Sequence, residues 1–440
     1  MPIVKHENHE FVPGETEKIA VRRARRLAEK LKAAKQRLKL ASAWRGGEKL
    51  VILGGCLIFG LNLYLVWMFF GTEAFNTTYS GPVIPFIAKI ITLSGLPLSY
   101  AIEIVNITFF LVFPVSFYLL VEKVSGKPLV ALLSGLVASL PISPFAGSRA
   151  QGMFFSVEGP HIASLSMVPI AIYGLMSFLH TGGLKNLVLA ALGSALVGLI
   201  SPFGLLAYVI FAGLVTFSEV LLGHGRLKLL RVMAALIFTG GICSFWYNPG
   251  FFWWLLSGPM GLEWREMVSR LIPISLFTIP ILGVFGYLLF DRKPDLQPLF
   301  LGIFLTIAFG MIIVTGRGVM PSTPVRYFPE FGVALAFLFG VVVDRLLELR
   351  LKIRKLIVNA ALIILVGVMT VGIVAGRAKI LAFDQGGVLG LWTGVDRGEL
   401  WQAREQFGGG YSIAGYAITA LTAGGTVFLR SKVKEEREKH

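Results

Sequence analysis

The sequence predicts an all-α polytopic membrane protein of about twelve transmembrane helices, and three observations carry that expectation. First, the 440 residues are 55% hydrophobic and only 15% charged, with a mean hydropathy of +0.74, whereas soluble domains are about 45–50% apolar and about 25% charged. Second, apolar runs near the roughly 20-residue length that crosses a bilayer recur along the chain. Third, Lys and Arg fall unevenly between the loops that join those runs, as they do when one side is the cytoplasm. The 34 Phe and 50 Gly fit the same solvent, since Phe faces acyl chains and Gly lets helices approach closely.

Ahead of the first run, residues 1–49 hold 13 of the 41 Lys and Arg against six Glu and no Asp. Their segment EKIAVRRARRLAEKLKAAKQRLKL repeats apolar residues at three- and four-residue intervals. That pattern is an amphipathic basic helix, either lying on the inner membrane surface or solvated. Much of the net charge of +16 therefore lies outside the apolar body, where it meets anionic headgroups rather than nucleic acid. The first run starts near Leu50 without a small-residue cleavage site and is expected to remain as an anchor. Cys56 and Cys243 both sit inside apolar runs and read as small hydrophobes.

The expected spans are residues 50–70, 102–121, 129–142, 162–179, 187–200, 203–222, 232–247, 271–290, 299–314, 331–343, 356–374 and 413–429. Ser201-Pro202 reads as a kink or a turn. With the N-terminus inside, the cytoplasmic loops and tail hold 18 Lys and Arg and the outer loops ten, although the outer loops are much the longer. The expected organisation is a cytoplasmic arm (1–49), a membrane domain (50–429) and a charged cytoplasmic tail (430–440) in the inner, plasma membrane. Long outer connections at 71–101, 143–161, 248–270, 315–330 and 375–412, with interfacial helices among them, place the working face outside.

No phosphate-binding loop, Cys-x-x-Cys pair, His-Glu-x-x-His or nucleophile elbow occurs. The candidates are polar residues at the outer boundary, where desolvation makes ionisable groups expensive. Arg317, Arg326, Tyr327 and Glu330 flank the connection TGRGVMPSTPVRYFPE; arginine's rigid fork suits phosphate oxygens. The bland reading there is an Arg326 to Glu330 pair closing the loop, or snorkelling to the headgroups. Glu158 and His161, three residues apart, suit a base with its proton partner or two ligands of a divalent metal, although no clear ligand set emerges. Capping of the following helix is the plainer reading. Glu73 opens the first outer loop as a candidate base, and Arg149 joins the anion contacts from the second. Trp254, in the fourth outer loop, is either part of an interfacial belt or a stacking surface for a sugar.

Several segments resemble the GT-C superfamily of membrane glycosyltransferases, and within it the bacterial and archaeal membrane proteins related to 6-pyruvoyl-tetrahydropterin synthase. They are LSGLPLSYAIEI, FPVSFYLLVEKVSGKPLVALLSGLVASL, EGPHIASLSMVPIAIYGLMSFL and PVRYFPEFGVALAFLFG. The resemblance implies transfer of a sugar from a polyprenyl-phosphate donor to an acceptor at the outer face, with membrane lipid as partner. It makes Arg326 the phosphate-binding residue and Arg317 its helper. The family's acidic base does not carry over, because no acid stands around Tyr79 to Gly81. Glu73 or Glu158 substitutes, or the chain keeps the fold as an inactive accessory subunit. A transporter or lipid flippase using the same basic outer cleft is the alternative from another class.

Overall fold

The structure is a computed structural model and describes residues 52–67, 81–154, 158–257, 281–289, 291–315, 324–348 and 410–438. The basic arm, the span expected at 356–374, Glu73 and Arg317 lie outside the described residues. Every regular element among the described residues is helical. In chain order they are α1 (Ile52–Trp67), α2 (Val83–Thr92), α3 (Leu98–Ser125), α4 (Pro128–Ala138), α5 (Ala146–Phe154), α6 (Gly159–Thr181) and α7 (Leu184–Ile200). They continue with α8 (Pro202–Leu221), α9 (Gly225–Cys243), α10 (Pro249–Ser257), α11 (residues 281–289), α12 (Gln297–Thr315), which a 3-10 turn at Pro294–Leu296 leads into, α13 (Phe328–Glu348) and α14 (Gly410–Glu438), with a second 3-10 turn at Pro324–Tyr327.

Five of these are long and apolar enough to cross a membrane: Leu98–Ser125, Gly159–Thr181, Pro202–Leu221, Pro294–Ile313 and Gly410–Ser431. The expected runs at 50–70, 129–142 and 187–200 correspond to shorter apolar helices. Local chemistry sets several boundaries. Proline at the first helical turn of α4, α6 and α8 is pre-set for helix and has no N-H to leave unpaired there. Gly126 ends α3 in the left-handed conformation at φ 66°, which only a residue without Cβ adopts freely. Ser201 is fully extended (φ −153°, ψ 129°), so Ser201-Pro202 separates two helices and is a turn, not a kink. An extended residue is what a following proline favours.

The described helices from Gly55 onward belong to one compact unit. Its main core joins side chains of α3, α4, α6, α8, α12 and α13. In the apolar stretch of α6, 83% of the residues are buried and in that of α14 only 6%, so α6 is the hub and α14 lies at the periphery against α9. Where lipid is the solvent, close backbone approach replaces hydrophobic collapse as the source of helix association. At α6 and α7 a methyl placed on Gly193 would stand 2.9 Å from Ala171 Cα, and one on Gly174 would stand 3.0 Å from Ala190 N.

Tight turns at Gly126, at Gly182-Gly183 and before α9 bring the starts of α4, α7 and α9 to one end of the bundle. That end collects Lys123, Lys127, Lys185, Arg226, Lys228, Arg231 and Arg345. There Glu219, 1% exposed, ties four helices: Lys228 Nζ donates to its carboxylate at 2.7 Å and Gln297 Nε2 at 2.8 Å, while His180 Nε2 lies 2.8 Å away. Replacing Glu219 with Leu leaves the Lys228 ammonium, 11% exposed, without its counter-charge. The expected loss is about 3–5 kcal/mol, read as a lowered unfolding midpoint in detergent; an unchanged midpoint removes the claim that this knot holds the bundle.

Candidate functional site

The opposite end gathers the starts of α6, α8 and α13. Glu158 and His161 open α6, and the turn at Pro324–Tyr327 delivers Arg326 and Tyr327 directly into α13, which carries Glu330 in its first turn. Residues 168 positions apart thereby meet. Arg326 Nη2 donates to Glu158 Oε1 at 2.8 Å, and both side chains are 1% exposed. His161 Nε2 stands 2.8 Å from Glu330 Oε1, but the directions are wrong for an aligned hydrogen bond. Neither imidazole nitrogen and neither Glu330 oxygen has a hydrogen-bond partner. The contact is therefore a close electrostatic approach.

Three features frame this pair of pairs. The Arg326 guanidinium lies over the Phe203 ring, with Cζ 3.8 Å from the centroid, which holds its plane while its Nε and Nη1 remain without partners. Tyr327 is buried and meets His161 edge-on at 5.6 Å. Burial pushes its phenol well above the usual tyrosine range, so it serves as a neutral neighbour. Asn106 of α3 presses on the start of α6, its Nδ2 lying 2.8 Å from where a Gly159 Cβ would be. The buried Asn106 Oδ1 is also without a partner.

Two plain readings of the sequence give way here. Arg326 does not close its own loop by pairing with Glu330; it reaches across to Glu158. Glu158 occupies the N-cap position of α6 but makes no side-chain capping bond, because its carboxylate is turned toward the guanidinium. Nor do Glu158 and His161 converge as a ligand pair, since each takes a different partner. Among the described residues no group of three or more His, Cys, Asp or Glu is placed to hold a metal.

The other candidates stand apart. Arg149, on α5, takes its own partners, Asn62 and the Ala138 carbonyl. Trp254 lies on α10 by backbone position; its neighbour Trp253 is exposed. Sequence reasoning missed Asn62, Asn106, Phe203 and the Glu219 knot. A polar residue inside an apolar span was the available signal for Asn62, Asn106 and Glu219, since such groups are costly unless they are used. Nothing in the sequence marks Phe203.

Fold and site together define a class: an all-helical bundle, with several helices apolar enough for a membrane, that buries a cluster of ionisable side chains where the starts of α6 and α13 meet. No protein-family model matches the chain, nor does any curated protein or any solved structure.

Proposed function

We propose that the Glu158, His161, Arg326 and Glu330 cluster is the reaction centre of a membrane-embedded transferase. In this reading it takes a sugar from a polyprenyl-phosphate donor at the outer face, as the GT-C resemblance implies. The observation that carries the reading is the buried meeting of Arg326 with Glu158 beside His161 and Glu330. It gives one permanent cation with two unspent nitrogens, next to a carboxyl and imidazole pair that can accept a proton. Arg326 grips the donor phosphate, and Glu158 holds the guanidinium in place. His161 and Glu330 take the proton from the acceptor hydroxyl as it attacks the sugar, and the phosphate leaves with the bonding electrons. Such a displacement needs positioning, charge neutralisation and one base, with no covalent intermediate.

The topology belongs to the same proposal: twelve spans, both termini cytoplasmic, in the inner membrane. The end rich in Lys and Arg faces the cytoplasm and the cluster lies at the exoplasmic side. The test uses the full chain in nanodiscs with a short-chain polyprenyl-phosphate sugar. Arg326→Lys keeps a charge but loses the planar fork; donor affinity is expected to fall at least tenfold. His161→Gln should keep donor affinity and lose turnover by about 10²–10⁴-fold, the usual range for a general acid or base. Donor affinity equal to wild type in Arg326→Lys removes the assignment. Donor binding without turnover in wild type points instead to an accessory subunit.

Transport is the second reading, favoured by one observation. Helix α6 carries a His–Glu contact at each end, His161 with Glu330, both buried, and His180, 40% exposed, with the buried Glu219, as a carrier with a gate at each end would. Substrate counterflow in proteoliposomes, absent from a pure transferase, separates the two.

A further inference from the structure

Among the described residues two guanidiniums are buried, and only one of them has a counter-charge there. Arg326 meets Glu158. Arg149, on α5, is 1% exposed, and no carboxylate pairs with it among the described residues. Its Nη2 is fully spent, donating to Asn62 Oδ1 at 3.1 Å and to the Ala138 carbonyl at 3.0 Å. Its Nε and Nη1 have no partner, which leaves three N-H groups unmet.

The surroundings are built around that group. Asn62, itself fully buried, is oriented by donating from Nδ2 to the Ile58 carbonyl at 2.8 Å and to Ser139 Oγ at 2.9 Å, which leaves its Oδ1 turned to the arginine. The guanidinium carbon lies 3.9 Å from the centroid of Phe113 and 5.1 Å from that of Phe110. Both rings attract the cation to their π-faces. The two rings and two neutral acceptors carry no charge of their own, so they leave the buried guanidinium without a counter-ion. Burial accordingly draws the guanidinium down to about 9. The contribution missing among the described residues is a negative charge.

We propose that Arg149 is a second anion-binding site, independent of the Arg326 cluster, that receives a phosphate-type oxyanion. The three remaining N-H groups are spread over two nitrogens, so an anion with several oxygens satisfies them where a single-atom halide does not. Phosphate of a lipid headgroup and free inorganic phosphate share this chemistry.

The test is thermal unfolding of the purified full-length protein in detergent, in a buffer free of phosphate and chloride. Inorganic phosphate, phosphatidylglycerol and chloride are titrated separately, and phosphorus retained after delipidation is measured on the intact protein. Expected is a saturable rise of several degrees with one phosphate source, or retained phosphorus near one per chain. A rise with inorganic phosphate identifies the free ion; a rise or retention with phosphatidylglycerol alone identifies the headgroup. Arg149→Met should abolish both readouts. Because that variant alters a buried position, Asn62→Asp provides the second arm: it places a carboxylate beside Nη2 as an internal counter-ion and should weaken phosphate at least tenfold while raising the starting midpoint. The double variant Arg326→Met with Glu158→Met should keep the response, which separates this site from the proposed reaction centre. The proposal is overturned by an unchanged response in Arg149→Met, by chloride matching phosphate, or by wild type showing neither a rise nor retained phosphorus.

Discussion

Arg326→Met is expected to cost about 3–5 kcal/mol of stability, because it leaves the Glu158 carboxylate buried without its guanidinium. The size of the loss comes from desolvation rather than from the bond itself. A carboxylate that is 1% exposed has little water to fall back on, and an orphaned buried charge costs more than the pair contributed. The companion variant, Arg326→Met with Glu158→Met, is therefore expected to recover most of that loss, since apolar side chains of similar volume often replace a buried ion pair at no net cost. Chemical unfolding in nanodiscs of wild type, Arg326→Met, Glu158→Met and the double variant completes the cycle, with a coupling expected at about 3 kcal/mol, the top of the usual range for contacting residues, or above it. Simply additive losses would falsify the pairing. Donor affinity should be lost in both variants that lack Arg326, which separates folding from function.

Gly332→Val is expected to be the most damaging single change that touches no charge. Gly332 lies two residues beyond Glu330, and a Cβ there would stand 2.6 Å from the Pro144 carbonyl carbon and 3.2 Å from Phe145 N, with the Pro144 oxygen closer still. These are backbone atoms, so no rotamer change relieves the contact. Two branched methyls push α13 off the segment that leads into α5, and Glu330 moves from His161 with it. Overpacking costs about 1–3 kcal/mol, and loss of the contact between α6 and α13 should remove turnover as well. Gly240→Ala, where a Cβ meets nothing within 4 Å, is the matched control. A Gly332→Val protein with wild-type midpoint and turnover contradicts this account.

Helices were legible wherever apolar runs were long, because burying a backbone in lipid demands that its hydrogen bonds be met locally. Thus 162–179 lies within α6 and 187–200 ends where α7 ends. Boundaries set by turns were less legible. Leu129 to Ile142 reads as one apolar run, but α4 stops at Ala138. At residue 225, α9 begins inside a basic stretch that hydropathy assigns to a loop.

For the site, the sequence alone determined which residues were unusual: Glu158, His161, Arg326, Tyr327 and Glu330 are polar groups at the edges of apolar runs, where desolvation makes idle charge expensive. Only the tertiary structure decided their partners. Arg326 and Glu330 sit four apart and read as a local pair, yet the guanidinium crosses to Glu158, because the close seat of Gly332 on Pro144 and the packing of α13 on α4 and α5 bring its first turn within side-chain reach of the start of α6. Local spacing fixes which side chains share a helix face, and long-range packing fixes which opposite charge lies within reach. The same division left Arg149 with two phenyl rings and, among the described residues, no carboxylate, a placement that no reading of spacing along the chain could supply.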